Sequence, residues 1–190
     1  MSFERVIANI SILVWIFPAI RQYKTRYFGF FLLLAVSDPV VEFFRYILKI
    51  KSFDVIYLMV FSLAFIALFK GSIIRKYWIL LLWPLFPLLY SLFFREYQFY
   101  QLLLNVFLIS IFLKFCYDLI GDTTKNNRID FFLVVLIFYA LTLITKVDST
   151  YTDLSQNYYY FKITNILDVI IGLFFVIFRY GNPKLILQLK

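Results

Sequence analysis

The stretch QFYQLLLNVFLISIFLKFCYDL, residues 98–119, decides the fold, because it is a long apolar run in which Lys114 and Asp118 are the only charged residues. A helix that crosses a bilayer needs about 20 predominantly apolar residues, at a rise of about 1.5 Å per residue. The run therefore predicts a membrane-spanning helix.

The same pattern recurs along the chain, with short polar breaks between the runs. Short connections make sequential helices antiparallel neighbours, so the pattern predicts an all-α, polytopic transmembrane helix bundle in which residues 1–190 form a single transmembrane domain. The seven predicted spans are residues 4–20, 28–48, 53–70, 76–94, 98–119, 129–147 and 159–179.

Composition supports this class of protein and excludes others. The chain is 63% hydrophobic and 16% charged, with a mean hydropathy of +0.85, whereas soluble domains carry about 25% charged residues. Histidine is absent, which removes His-ligated haem, His-based zinc sites and Ser-His or Cys-His nucleophile pairs. We therefore expect no cofactor and no metal, and we do not favour an enzymatic function. The single cysteine, Cys116, excludes an internal disulfide.

The distribution of basic residues predicts the orientation. Eleven Lys and Arg residues fall in the odd-numbered loops and the tail, and seven on the other side, which places the N-terminus outside and the C-terminus in the cytoplasm. The net charge of +8 is then explained by cytoplasmic loops, and no nucleic-acid partner is expected. The expected partners are the lipid bilayer, other membrane proteins and a small-molecule ligand. We expect the bacterial inner membrane, with an organelle inner membrane as the alternative.

Polar residues inside the spans are the candidates for function, because charges at bilayer depth cost about 2.5–3.5 kcal/mol each on insertion scales. Asp38, Glu42 and Arg45 share one face of span two, where Glu42 and Arg45 can neutralise one another. Spans five and seven direct amides and a carboxylate to the same outer half of the bundle. The predicted ligand-binding or proton/ion-site residues are Asp38, Glu42, Arg45, Gln101, Asn105, Asn165 and Asp168. The amides can also serve only as contacts between helices, worth about 0.6 kcal/mol each.

On the cytoplasmic side, CYDLIGDTTKNNRID (116–130) resembles an Asp-rich motif of membrane prenyltransferases over one short loop. The resemblance implies that Asp118 and Asp122 hold Mg²⁺ against a diphosphate. That family needs a second such motif, which this sequence lacks. The favoured interpretation is a solvated loop in which Lys114 pairs with Asp118.

Three functions remain open. The first is a sensor or receptor-like module that binds a ligand in the outer half of the bundle and signals through partner proteins. The second is a non-catalytic subunit of a larger membrane complex. The third is a small-solute or ion permease that uses Asp38 and Asp168.

Overall fold

A computed structural model describes residues 3–47, 53–69, 82, 97–151 and 154–189, and this part of the chain contains six long helices. They coincide with six of the seven apolar runs; the predicted span 76–94 lies outside the described residues, except for Leu82. The helices are α1 (Phe3–Arg21), α2 (Phe28–Ile47), α3 (Phe53–Ala67), α4 (Tyr97–Asn126), α5 (Phe131–Tyr151) and α6 (Leu154–Ile177).

The described helices form a closed ring. Each helix packs against the next along the chain, and α6 returns to pack against α1. The centre of the ring is a core of aromatic and aliphatic side chains, including Tyr27, Phe31, Phe132 and Phe175, which are fully or almost fully buried. The all-helical prediction is confirmed to this extent.

The outward faces of the helices are apolar. On α4 the exposed large residues recur every three or four positions, which is the spacing of one helical face. They are Leu102, Val106, Ile109, Leu113, Tyr117 and Ile120. Buried carboxylates such as Asp118 and Asp168 lie on the inner side. These two carboxylates are therefore inside the ring, and the apolar stripes are outside it.

Two of the described helices are long and apolar enough to cross a membrane, over Phe99–Asn126 and Phe131–Asp148. Only 28% and 33% of their apolar windows are buried inside the protein, so neither resembles the enclosed core helix of a soluble domain. Residues Ile10–Arg21, Phe28–Val41 and Val55–Ala67 form shorter apolar helical stretches.

Helix α4 extends to Asn126, beyond the predicted span and into the segment that was expected to be a loop. The hydroxyls of Thr123 and Thr124 donate to the carbonyls of Leu119 and Ile120, so these polar residues satisfy their hydrogen bonds within the helix. The helix ends at Asn126, and the next residue, Asn127, has a φ of 48°, in the left-handed region that is common just after helix C-termini.

A two-stranded sheet joins the C-terminal segment to the α4–α5 junction. Strand β1 (Arg128–Asp130) pairs antiparallel with β2 (Ile186–Gln188), which follows a 3₁₀ turn at Pro183–Leu185. The Asp130 side chain accepts a 2.9 Å hydrogen bond from the Phe132 backbone N–H and so caps the start of α5. Strands of three residues have too little alternation to be predicted from sequence.

Candidate functional site

The predicted site residue Asp168 forms a buried ion pair. Asp168 is 3% exposed, and its Oδ2 lies 2.6 Å from the Nζ of Lys146 on α5. Its other oxygen, Oδ1, has no hydrogen-bond partner within the part of the chain that the structure describes. A buried carboxylate oxygen without a donor costs free energy, and among the described residues this atom is an unsatisfied acceptor inside the bundle.

Asp38, also predicted as a site residue, lies on the side of the ring formed by α2 and α3. The hydroxyl of Tyr57 on α3 donates to Asp38 Oδ1 over 3.2 Å. The charges of Asp38 and Asp168 both act on the buried hydroxyl of Tyr139 on α5. The two carboxylates therefore share Tyr139 as a neighbour.

Asn105, on α4, contacts a different face of α5 from the face that carries Lys146. Its Nδ2 donates to Asp148 Oδ1 over 2.8 Å, between α4 and α5. Lys146 and Asp148 are two positions apart, which places them about 200° apart around the helix. The structure thus divides the polar residues between two faces of α5, whereas the sequence predicted one shared region.

The remaining predicted residues are less closely connected. Asn165 is buried on α6, one turn before Asp168, and Gln101 is half-buried on α4. Glu42 and Arg45 belong to α2, but their side chains lie outside the described part of the structure.

Below the Lys146–Asp168 pair, the interior of the ring is filled by aromatic side chains. Trp15 and Tyr139 pack with ring centroids 4.4 Å apart, and Tyr139 also contacts Phe175 at 6.5 Å. Helices α1 and α6 approach closely here, because a Cβ on Gly172 would lie 2.6 Å from Val14 Cγ1. The polar pair therefore rests on a densely packed aromatic layer.

A second polar cluster lies at the other end of the ring and was only partly predicted. Asp118 pairs with Lys114, as the sequence indicated, and also accepts hydrogen bonds from Arg26 at 2.7 Å and from the Tyr27 hydroxyl at 3.1 Å. Asp118 is buried, so the prediction of a solvated loop was wrong at this position. We call Arg26, Tyr27, Lys114 and Asp118 the Asp118 cluster.

The Asp118 cluster also argues against the magnesium site that the prenyltransferase resemblance implies. Both Asp118 oxygens already accept hydrogen bonds, two of them from cations. Among the described residues, no group of three or more His, Cys, Asp or Glu side chains could hold a metal ion.

Burial and neighbouring charge raise the pKa values of three side chains near this end of the ring. Desolvation, followed by the charge of Asp118, raises the pKa of Tyr27 far above its ordinary value, so its hydroxyl remains a donor. Desolvation also raises the pKa values of Asp130 and Tyr180, and the negative charge of Asp122 adds to both shifts. Asp122 Oδ2 has no hydrogen-bond partner within the described residues.

The buried residue Gln22 was missed by the sequence analysis. It is 0% exposed, and its Nε2 donates to the carbonyls of Phe175 and Phe178 at the end of α6. Its Oε1 accepts from the backbone N–H of Tyr180 at 3.0 Å. One glutamine thus closes the C-terminus of α6 from the α1–α2 loop, at a sequence separation that no local pattern reveals.

Comparisons with known proteins do not identify a family for this chain. No protein-family model, no curated protein sequence and no solved structure matches the chain.

Proposed function

We propose that the chain is an integral membrane protein with about seven spans, its N-terminus outside and its C-terminus in the cytoplasm of a bacterium. The apolar stripes on the outward faces support this, because soluble monomers rarely expose continuous apolar surface on this scale. The α4 stripe runs from Leu102 to Ile120, a length of about 27 Å at about 1.5 Å per residue, close to the hydrocarbon thickness of about 30 Å.

Within this protein, the Lys146–Asp168 pair forms the centre of a site for a small polar ligand, and the chain is a sensor or receptor-like module. The observation that carries this proposal is Asp168 Oδ1, a buried acceptor with no partner among the described residues. Because Lys146 already neutralises the carboxylate, the open oxygen favours a neutral hydrogen-bond donor, such as a hydroxyl or an amide, over a free anion.

A line of ring contacts supports a signalling function over a transport function. Tyr27, which donates to Asp118, lies 6.3 Å from the Phe132 ring, and Phe132 lies 5.1 Å from Phe175. Phe175 in turn contacts Tyr139, beside Asp168. A packed interior transmits strain well, so a shift at Asp168 can reach the Asp118 cluster without opening a passage.

Native mass spectrometry of the protein, extracted from its own membrane with the surrounding lipid retained, tests the ligand site. We expect a reproducible small adduct on the wild-type chain that disappears in the variant Asp168→Asn. Asp148→Asn is the matched control, because it makes the same chemical change at an exposed position on another face of α5. A stoichiometric protein partner without any adduct would instead favour a complex subunit, and uptake of solute by vesicles containing the protein would favour a permease.

The topology is tested separately by cysteine labelling in intact cells, after Cys116→Ala removes the native thiol. A cysteine placed at Ser149 is expected to react with an impermeant maleimide, and a cysteine placed at Thr124 is expected to react only after permeabilisation. The reverse pattern would overturn the proposed orientation, and labelling of both in intact cells would overturn the one span that lies between them, residues 129–147.

A further inference from the structure

The loop between α1 and α2 concentrates exposed positive charge at one end of the ring. Arg21, Lys24 and Arg26 are exposed on or beside this loop. Arg179, just after α6, is also exposed, and its Nη2 donates to the Tyr23 carbonyl at 2.8 Å. We call Arg21, Lys24, Arg26 and Arg179 the basic loop patch.

The loop is held in a defined conformation. Gln22 is buried beneath it against the end of α6, and the Thr25 hydroxyl donates to the Gln22 carbonyl at 2.7 Å. Lys24 has a φ of 63°, which reverses the chain at the tip of the turn. A loop whose backbone is already held in one conformation loses less conformational freedom when an anion binds to its side chains.

Little negative charge offsets this patch. Arg26 contacts Asp118, but that carboxylate is buried and is shared with Lys114. Asp122 is half-buried and Asp130 is buried, so none of the described acidic side chains at this end is exposed. The surface that solvent or lipid meets here is positive.

Apolar surface leads directly to the patch. An exposed stripe follows α1 to the loop, and it consists of Leu13, Phe17, Ile20 and Tyr23. Lys24 Nζ lies 5.5 Å from the Tyr23 ring centroid, and Lys114 Nζ lies 5.3 Å from that of the exposed Tyr117 on α4. Tyrosines beside a lysine near the end of an apolar stripe are typical of the boundary between hydrocarbon and headgroups.

We propose that the basic loop patch binds the headgroup phosphate of an anionic phospholipid, whose acyl chains lie along the exposed stripe of α1. This inference depends on the proposed membrane location, but it does not depend on the ligand site at Asp168. The occupant is identified by charge complementarity together with the continuous apolar surface beside it. A soluble anion would match the charge but would make no contact with the apolar stripe beside it.

The test measures lipid affinity by native mass spectrometry, with phosphatidylglycerol and phosphatidylcholine as probes added to the purified full-length protein. We expect wild type to prefer phosphatidylglycerol and Arg21→Gln/Lys24→Gln to lose about 25-fold in that affinity, since each cation at an anionic surface contributes about a five-fold factor. Lys125→Gln/Lys184→Gln removes the same charge from exposed positions at the same end, outside the patch, and should change the affinity less than three-fold, about 0.6 kcal/mol. Arg21→Lys/Lys24→Arg keeps the charge and should retain most of the binding.

Four outcomes would overturn the inference. Equal affinity of wild type for the two lipids, or equal losses in the two glutamine variants, would exclude a defined headgroup site. Displacement of the lipid by inorganic phosphate alone would indicate a free-anion site, and displacement by an oligonucleotide would indicate nucleic acid. Alkaline carbonate extraction tests the membrane location separately. A chain that resists extraction yet shows no lipid preference refutes the headgroup site but not the membrane location.

Discussion

Removing the two partners of the Lys146–Asp168 pair one at a time is predicted to have unequal effects on stability. The asymmetry follows from burial: the Asp168 side chain is 4% exposed, whereas that of Lys146 is 29% exposed. In the variant Lys146→Met, the carboxylate stays buried with neither oxygen partnered among the described residues. In Asp168→Asn, the ammonium can turn towards water at the end of its flexible side chain.

The expected magnitudes differ by about 2 kcal/mol. Breaking a buried pair by deleting one partner costs about 3–5 kcal/mol when the remaining charge is enclosed, which is the case for Lys146→Met. Deleting one partner costs only about 1–2 kcal/mol when the remaining charge is partly exposed and can rehydrate, which is the case for Asp168→Asn. The double variant Lys146→Met/Asp168→Leu replaces both charges by apolar groups of similar size, and it should recover most of the stability.

Unfolding of the purified protein in mixed micelles, titrated with sodium dodecyl sulfate and followed by tryptophan fluorescence, measures these differences. Trp15 is a suitable reporter because it packs against Tyr139 in the core of the ring. The same variants test the ligand site, since the double variant should regain stability but not the small adduct. Recovery of both would mean that the pair only holds α5 and α6 together.

Two results would refute this reasoning. Costs near 0.6 kcal/mol for each single variant, the average for polar contacts between membrane helices, would show that Asp168 is not held as an enclosed charge. A larger cost for Asp168→Asn than for Lys146→Met would show that the lysine, and not the aspartate, is the buried member of the pair.

Three further predictions concern the packing and the capping of the helices. Because burial raises the pKa of Asp130, the folded state binds more protons there than the unfolded state, so stability should fall as the pH rises from the ordinary value of about 4 through the raised pKa. Asp130→Asn keeps an acceptor for the Phe132 N–H and should abolish this dependence of stability on pH. Asp130→Ala loses the cap and should cost about 1 kcal/mol. Thermal unfolding measured over a range of pH distinguishes the two variants. Gly172→Ala should destabilise the protein by about 1–3 kcal/mol in the same unfolding assay, because the added Cβ meets Val14, and no effect would mean that α1 and α6 are not in close contact. Gln22→Ala should cost about 3 kcal/mol and speed amide hydrogen exchange after the end of α6; unchanged exchange would contradict its role there.

The positions of the helices could be predicted because run length and hydropathy are local properties of the sequence. The ends of the helices were more difficult to predict. The composition after residue 120 indicated a loop, but α4 continues there because the threonine hydroxyls donate to carbonyls one turn earlier. The partner of Asp168 could not be predicted from the sequence, because its pairing with Lys146 depends on how α5 and α6 are rotated about their axes. Arg26 and Asp118 are 92 positions apart, a separation at which one sequence shows no pairing signal.

The aromatic layer between the two polar ends bears most directly on the choice between functions. The rings of Tyr27, Phe132, Phe175 and Tyr139 follow one another at centroid distances of 5.1 to 6.5 Å, and all four side chains are buried. A permease would have to part these rings in every transport cycle, which exposes a large apolar surface to water each time. A sensor requires only that the rings shift together, because densely packed interiors change by discrete repacking. Phe175→Leu therefore separates the two mechanisms: a smaller side chain in this layer should weaken the transmission of a signal, whereas in a permease it should ease the passage of solute.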